Sequence, residues 1–310
     1  MTAASVIIPS YRGADRLPRL LSCLAAQTST DWEAIIVIDG DVDGSEEVVN
    51  RYRHLPVRPI VFPRNRGRVA ALNAGFEAAH GEVLIRCDDD FEPGPGHVAG
   101  HLAAHADHEC GVVGVARGRA PENAYMRVYG HDADGRGRAA AYATAPEQRW
   151  RLWGGNVSCS REAFARIGGY DPRYRLYGWE DLDFGYRLAE AGIPIEISRE
   201  IEVPHAMASV TTRTRVERAF LSGQARHLFD EIHGPGASGP VVPEDRTTWN
   251  RLVTATAGRL DHRRAGRAAA VVDRLIGGLP APVSRKLVAL AVEAAGIAGY
   301  RACDQTPGNA

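Results

Sequence analysis

From Ser5 to Ala116, short apolar runs rich in β-branched side chains alternate with stretches of helical period, and that alternation leaves few folds open. The runs are Ser5–Pro9, Ala34–Asp39, Val57–Phe62, Glu82–Cys87 and Gly111–Ala116. Between them, Leu17, Leu20, Leu21 and Leu24 recur at helical spacing, residues 46–52 form a shorter helical segment, and 69–79 and 97–106 are longer ones. Parallel strands need a crossover connection, usually a helix, so this rhythm predicts an α/β fold with a mostly parallel sheet covered by helices.

Beyond Ala116 the rhythm weakens. Residues 130–145 are rich in Gly, Arg and Ala without a period and read as a flexible loop beside whatever the domain binds. Order returns where Trp153-Gly154-Gly155-Asn156-Val157 leads into a helix over 161–167, and again where Trp179-Glu180-Asp181-Leu182-Asp183 opens a helix reaching Gly192. A Gly/Pro/Ser-rich stretch at 234–243 divides the chain into an expected α/β domain, 1–233, and a helical C-terminal extension, 244–310. Helices are expected near 245–259, 263–276 and 283–302, with arginines on the polar faces. Such helices can pack on the main domain, form a homodimer or rest on a membrane surface, and packing is the favoured use.

The chain of 310 residues carries 37 basic and 38 acidic residues, so no global field points to nucleic acid. Its five cysteines form no C-x-x-C pair, and their odd number argues for a reducing compartment. No apolar run is long enough to span a bilayer and no secretory signal opens the sequence, so a cytoplasmic protein is expected, with peripheral contact at the inner membrane surface left open.

Chemistry concentrates at strand ends. Asp88-Asp89-Asp90 closes the fourth run, and like charges persist there only when donors, water or a cation offset their repulsion. Oxygen ligands suit Mg2+ or Mn2+, with Asp90 the preferred direct ligand. His205, after the strand-like 200–203, can supply a neutral imidazole to the same ion. In open α/β sheets ligands bind beyond the carboxyl ends of strands, where Pro9-Ser10-Tyr11, Asp39 and the acidic triplet converge. Asp39 can accept a pyrimidine N–H with Tyr11 stacked on the base, or simply shape its turn. Arg64 and Arg68 lie between the third strand and a helix start, a placement that suits a diphosphate, and Asn73 follows on that helix. Glu180, Asp181 and Asp183 begin a helix, where the macrodipole alone explains acidic residues. Tyr177-Gly178-Trp179 before them adds an aromatic wall of the kind a sugar needs, and a carboxylate there can take a proton in step with attack.

In their order along residues 4–210, Ser5-Val6-Ile7-Ile8-Pro9-Ser10-Tyr11, Asn73-Ala74-Gly75, Asp88-Asp89-Asp90, Gly154-Gly155-Asn156 and Trp179-Glu180-Asp181-Leu182-Asp183 resemble the family 2 glycosyltransferases of the GT-A fold. The resemblance implies inverting transfer of a sugar from a nucleoside diphosphate donor, UDP favoured, to an acceptor hydroxyl, with Mn2+ or Mg2+. It implies base recognition by Asp39, a ribose or donor-sugar contact at Asp88, metal binding by Asp90 with His205, and a catalytic base at Asp181 beside Glu180. Pro9, Ser10, Tyr11, Arg64, Arg68, Asn73 and Asp89 fall on the donor side, although Asp89 is expected to point away. Trp153, Gly154, Gly155, Asn156 and Trp179 fall on the acceptor or sugar side.

The sequence departs from the pattern at Asp39-Gly40-Asp41-Val42-Asp43-Gly44-Ser45, which is stretched, and at Arg86, which is expected to face the other side of the sheet or to pair with an acid. A sugar-phosphate nucleotidyltransferase would open with a glycine-rich nucleotide loop, which Pro9-Ser10-Tyr11 does not offer. A non-catalytic carbohydrate- or nucleotide-binding module on the same fold stays open.

Overall fold

The structure, a computed structural model, describes residues 2–245 and 247–304. Contacts divide the chain into two compact units: one holds residues up to 119 with 137–175 and 181–206, the other 120–136, 176–180 and the chain from 207 onward.

The first unit is built on a seven-stranded sheet of β1 (Ala4–Ser10), β2 (Trp32–Ile38), β3 (Val57–Val61), β4 (Val83–Cys87), β5 (Gly111–Arg119), β6 (Asn156–Ser160) and β7 (Ile195–Ala206). Their spatial order is β3-β2-β1-β4-β6-β5-β7. All pairings are parallel except those of β6, which runs antiparallel between β4 and β5. The first five strands stand where the β-branched runs predict them. β6 was not foreseen, because its Asn-Val-Ser-Cys-Ser sequence lacks an apolar pattern. It is buried nonetheless, with Asn156 and Ser158 satisfied by hydrogen bonds inside the unit.

Helices α1 (Leu17–Ala25), α2 (Ser45–Asn50), α3 (Arg68–Ala78), α4 (His97–Ala104), α5 (His131–Tyr142), α6 (Arg161–Ile167) and α7 (Glu180–Glu190) follow in order. The apolar stripe of α1, Leu17, Leu20, Leu21 and Leu24, is wholly buried and joins the core formed by β1, β2 and β4. Complete burial of such side chains contributes roughly 1.5–3 kcal/mol each. The segment expected as a flexible loop, 130–145, is instead mostly the helix α5. Asp132 and Asp134 in its first turn complement the helix dipole, and the alanines 139–141 offset the cost of Gly135 and Gly137.

The second unit is helical, with α8 (Thr212–His233), α9 (Thr248–Ala257), α10 (His262–Leu275) and α11 (Ala281–Asp304). A core of Val216, Phe220, Val253, Ala257, Ala265, Ala269, Ala294, Ala295, Ile297 and Ala298 joins all four. The long helix α8 therefore packs with the C-terminal helices, and the boundary expected at 234–243 falls inside this unit. Helices α8 and α11 lie so close that a Cβ on Gly299 would sit 1.9 Å from the Phe220 carbonyl oxygen. No helix among the described residues is long and apolar enough to cross a membrane.

Candidate functional site

Strand β4 ends the site's deepest element. Its five residues are buried, and alternate side chains leave a strand on opposite faces, so Arg86 and Asp88 share a side while Cys87 faces the core. The Arg86 side chain is 0% exposed. Its Nε donates to Asp88 Oδ1 at 2.9 Å, its Nη1 donates to Asp181 Oδ1, and its guanidinium carbon lies 5.7 Å from the Tyr170 ring centre. A single buried cation thus ties the acidic strand end to the start of α7. Burial opposes the charge on Arg86, yet Asp181 and then Asp88 outweigh it and hold its pKa above the ordinary value. For Asp88, burial pushes the pKa up, but Arg86 and Arg68 overcome this and keep it well below the carboxylate range. Arg68, in the first turn of α3, donates to Asp88 Oδ2 at 3.0 Å.

The antiparallel register Cys87↔Asn156 brings Gly155 against Asp88, whose N–H donates to the Gly155 carbonyl at 3.0 Å. A Cβ at 155 would lie 2.7 Å from the Asp88 carboxylate carbon, so no larger residue fits there without displacing it. Asp90 lies one turn of backbone further. Its Oδ2 is 3.2 Å from His205 Nε2, and its Oδ1 is buried without a hydrogen-bond partner. A bridge between Phe91 and His205, the N–H of Ala206 donating to the Asp90 carbonyl, and the Phe91 ring edge-on at 5.0 Å fix the imidazole. A buried carboxylate oxygen with no donor, beside an imidazole, fits a divalent cation of the Mn2+ or Mg2+ kind.

Other expected donor residues are engaged differently. Both Asp39 oxygens accept backbone N–H groups, from Arg66 at 2.6 Å and Gly67 at 2.9 Å, so this carboxylate anchors the basic loop that was expected beside it. Ser10 Oγ donates to Asp89 Oδ2 at 2.6 Å, and Arg16 grips both Asp89 oxygens. Asp89 does turn away from Asp88 and Asp90, into an ion pair under the loop after β1. Pro9 is the penultimate residue of β1, and Tyr11 and Arg64 are exposed. Asn73 does not face the crevice: its amide donates to the Tyr170 carbonyl at 2.8 Å and accepts from the Tyr170 N–H at 2.7 Å, clamping the turn after α6.

The expected acceptor side is revised more strongly. Trp153 is core, stacked on Phe184 with ring centres 5.5 Å apart. Asn156 is buried, donating to the carbonyls of Gly114 and Ile201. Gly154 and Gly155 line a cavity of about 180 Å3 with Phe91 and Val113 to Ala116. Trp179, in the second unit, has φ +68 and packs on Phe229, and Glu180, which follows it, is buried at the start of α7. Arg16 went unforeseen and has no local signal. Arg86, expected to face the other side of the sheet or to pair with an acid, pairs with Asp88 and Asp181; an arginine in an apolar strand two residues before an aspartate shares its face. Arg86 thus holds Asp88 and Asp181, Arg68 and Gly155 stand against Asp88, and Asp90 pairs with His205, all within the first unit.

Residues 5–168 match the model of glycosyl transferase family 2, and 136–208 match a model described as the N-terminal domain of galactosyltransferase. A validoxylamine A glucosyltransferase of Streptomyces hygroscopicus subsp. jinggangensis (strain 5008) is 33% identical over 233 residues, 65% of this chain and 55% of that protein. An undecaprenyl-phosphate 4-deoxy-4-formamido-L-arabinose transferase of Pseudomonas fluorescens (strain Pf0-1) is 34% identical over 129 residues, 40% of this chain and 38% of that protein. The chain spans about half the length, or less, of these curated relatives. Among solved structures, the mannosyltransferase PcManGT from Pyrobaculum calidifontis, in complex with GDP-Man and Mn2+, superimposes with a TM-score of 0.65 at 18% identity, covering 98% of this chain and 88% of that one. S. aureus TarS 1-349 gives 0.54 at 16% identity, with 98% and 91% covered. At these identities the likeness is one of fold.

Proposed function

The chain belongs to glycosyl transferase family 2 and has its GT-A fold, and we propose that it transfers a sugar, with inversion, from a nucleoside diphosphate donor to an acceptor hydroxyl. The observation that carries this reading is the split acidic site: Arg86 joins Asp88 at the end of β4 to Asp181 on α7, and two residues beyond Asp88 the Asp90 carboxylate stands beside His205.

Asp90 and His205 would hold Mn2+ or Mg2+, which when bound offsets the charge of the departing diphosphate as a Lewis acid. Arg68, at the start of α3, and Arg64, on the loop before it, supply cations for the diphosphate oxygens. Asp39 holds that loop closed, and each of its oxygens keeps a second acceptor position for a base N–H. UDP is the favoured donor nucleotide, a reading supported by the complex of TarS with UDP-GlcNAc. Asp181 accepts the proton of the attacking hydroxyl as the new C–O bond forms at the anomeric carbon and the bond to the diphosphate oxygen breaks. Arg86 is a positioning residue, holding Asp181 and Asp88 in fixed relation. A hydroxyl on a soluble glycoside or natural product is the proposed acceptor, supported by the validoxylamine A glucosyltransferase, and the cytoplasm is the proposed compartment.

Release of UDP from a panel of UDP-sugars and hydroxyl acceptors, followed with Mn2+ present, tests the proposal, together with the anomeric configuration of the product. Asp181→Asn is expected to cut turnover by about 10²–10⁴-fold while donor binding persists. Unchanged turnover would remove Asp181 as the base, and retained configuration would remove inversion. Failure of the wild type with every donor would favour a binding module.

A further inference from the structure

The edge of the sheet opposite the acidic strand ends carries a second cluster of metal-ligating groups. Between α4 and β5 the chain presents His105, His108 and Cys110, and β7 begins with Ile195-Glu196. In the parallel register Gly111 pairs with Ile195 and Val112 with Glu196. Cys110 lies two residues before Val112, so the Cys110 and Glu196 side chains leave the sheet on one face. His108 Nε2 is 2.9 Å from Glu196 Oε1, and ligand atoms of His108, Cys110 and Glu196 all lie within 4.8 Å of one another.

A hydrogen-bond chain running in from the core orients a fourth group. The Asn156 amide nitrogen donates to the carbonyls of Gly114 and Ile201, so its Oδ1 must accept, here from His101 Nε2–H at 3.2 Å. His101 Nδ1 is then an acceptor, and the Ser158 hydroxyl, 2.8 Å away, donates to it. Ser158 Oγ is left to accept from His105 Nε2–H, also at 2.8 Å. The His105 lone pair is therefore on Nδ1, which faces Cys110 Sγ at 3.8 Å. An acceptor that takes the hydrogen bond of the far nitrogen, as Ser158 does here, is the usual arrangement for a metal-bound histidine.

We infer that Cys110, His105, His108 and Glu196 form a Zn2+ site. One thiolate, two imidazoles and a carboxylate match the donor preference of zinc, whereas Mg2+ and Mn2+ favour oxygen. Bond lengths near 2.0–2.3 Å in a tetrahedron put ligand atoms about 3.5 Å apart. His108 and Glu196 are 2.9 Å apart, His105 and Cys110 3.8 Å, and the atoms of His108, Cys110 and Glu196 lie within 4.8 Å, so His105 closes in on the other three when the ion binds. The thiolate and the carboxylate neutralise the dication, and binding at neutral pH releases the Cys110 thiol proton to water. Zinc here clips the loop after α4 to the start of β7, whose far end carries His205.

The test uses the full chain, stripped of metal and titrated with Co2+ as a spectroscopic stand-in for Zn2+. The wild type is expected to develop a thiolate-to-cobalt charge-transfer band and tetrahedral visible bands that saturate at one equivalent per chain, both bleached by added Zn2+. Asp90→Asn should leave them unchanged. Cys110→Ser should abolish the charge-transfer band, and His108→Ala, at an exposed position that the fold tolerates, should weaken uptake by about tenfold or more. Absence of the charge-transfer band in the wild type, or its persistence in Cys110→Ser, would overturn the assignment. So would His108→Ala titrating like the wild type.

Discussion

Replacing Arg86 by Met keeps the volume of the side chain and its contact with Tyr170 but removes the charge that joins Asp88 to Asp181. Arg86 is fully buried, and both carboxylates are 16% exposed, so neither can recover full hydration when the guanidinium is lost. Removing one partner of a buried ion pair costs about 3–5 kcal/mol, mainly through the charge left behind. Arg68 still neutralises part of Asp88, which leaves Asp181 as the main stranded charge. For a unit of this size the loss corresponds to a Tm lower by about 6–20 °C. The pH dependence has a definite sign. The folded-state pKa of Asp88 is depressed, so its stabilisation is complete above the unfolded value of about 3.9 and drains as pH falls below it. Without Arg86 that contribution is cut to what Arg68 supplies. The gap between wild type and Arg86→Met should therefore be widest near pH 7 and narrow below about pH 4. Urea unfolding at pH 7 and at pH 3, with the double variant Arg86→Met/Asp181→Asn recovering part of the loss, measures this directly. A gap under about 1 kcal/mol at pH 7, or one equally large at pH 3, would refute the bridging role of Arg86.

Gly155→Ala forces a Cβ to within 2.7 Å of the Asp88 carboxylate carbon, so it should destabilise by about 1–3 kcal/mol and lower turnover more than Ala at the open position 154, measured by urea melts and initial rates. Asn73→Ala should cost about 1–3 kcal/mol by releasing the Tyr170 backbone yet leave the donor KM unchanged; a raised KM with normal stability would restore Asn73 to the donor site.

The parallel half of the sheet was legible because each strand is a β-branched run bounded by turn residues, and a strand buried on both faces needs little else. Strand β6 was not, because its burial rests on polar side chains, Asn156 and Ser158, that are satisfied by partners distant in sequence. Helix α5 was hidden by Gly135 and Gly137, whose local cost is outweighed by contacts such as that of Tyr142 with Glu202. In the site, motif order placed Asp88, Asp90, Asp181 and His205 in one unit. It did not reveal the partners that only the fold supplies: the loop amides on Asp39, the Tyr170 backbone on Asn73, and the Phe184 ring against Trp153. Arg86 shows the reverse case, since its phase with Asp88 was readable but its second partner, Asp181, was not.

The division of labour across Arg86 is tested most directly by thermal shift with UDP, with and without Mn2+, on the wild type, Asp90→Asn and Asp181→Asn. A ligand at about one hundred times its Kd adds about 2.7 kcal/mol to the folded state. The account predicts a Mn2+-dependent shift in the wild type, the same shift in Asp181→Asn, and none in Asp90→Asn. A UDP shift that ignores Mn2+, or one that survives in Asp90→Asn and vanishes in Asp181→Asn, would contradict it.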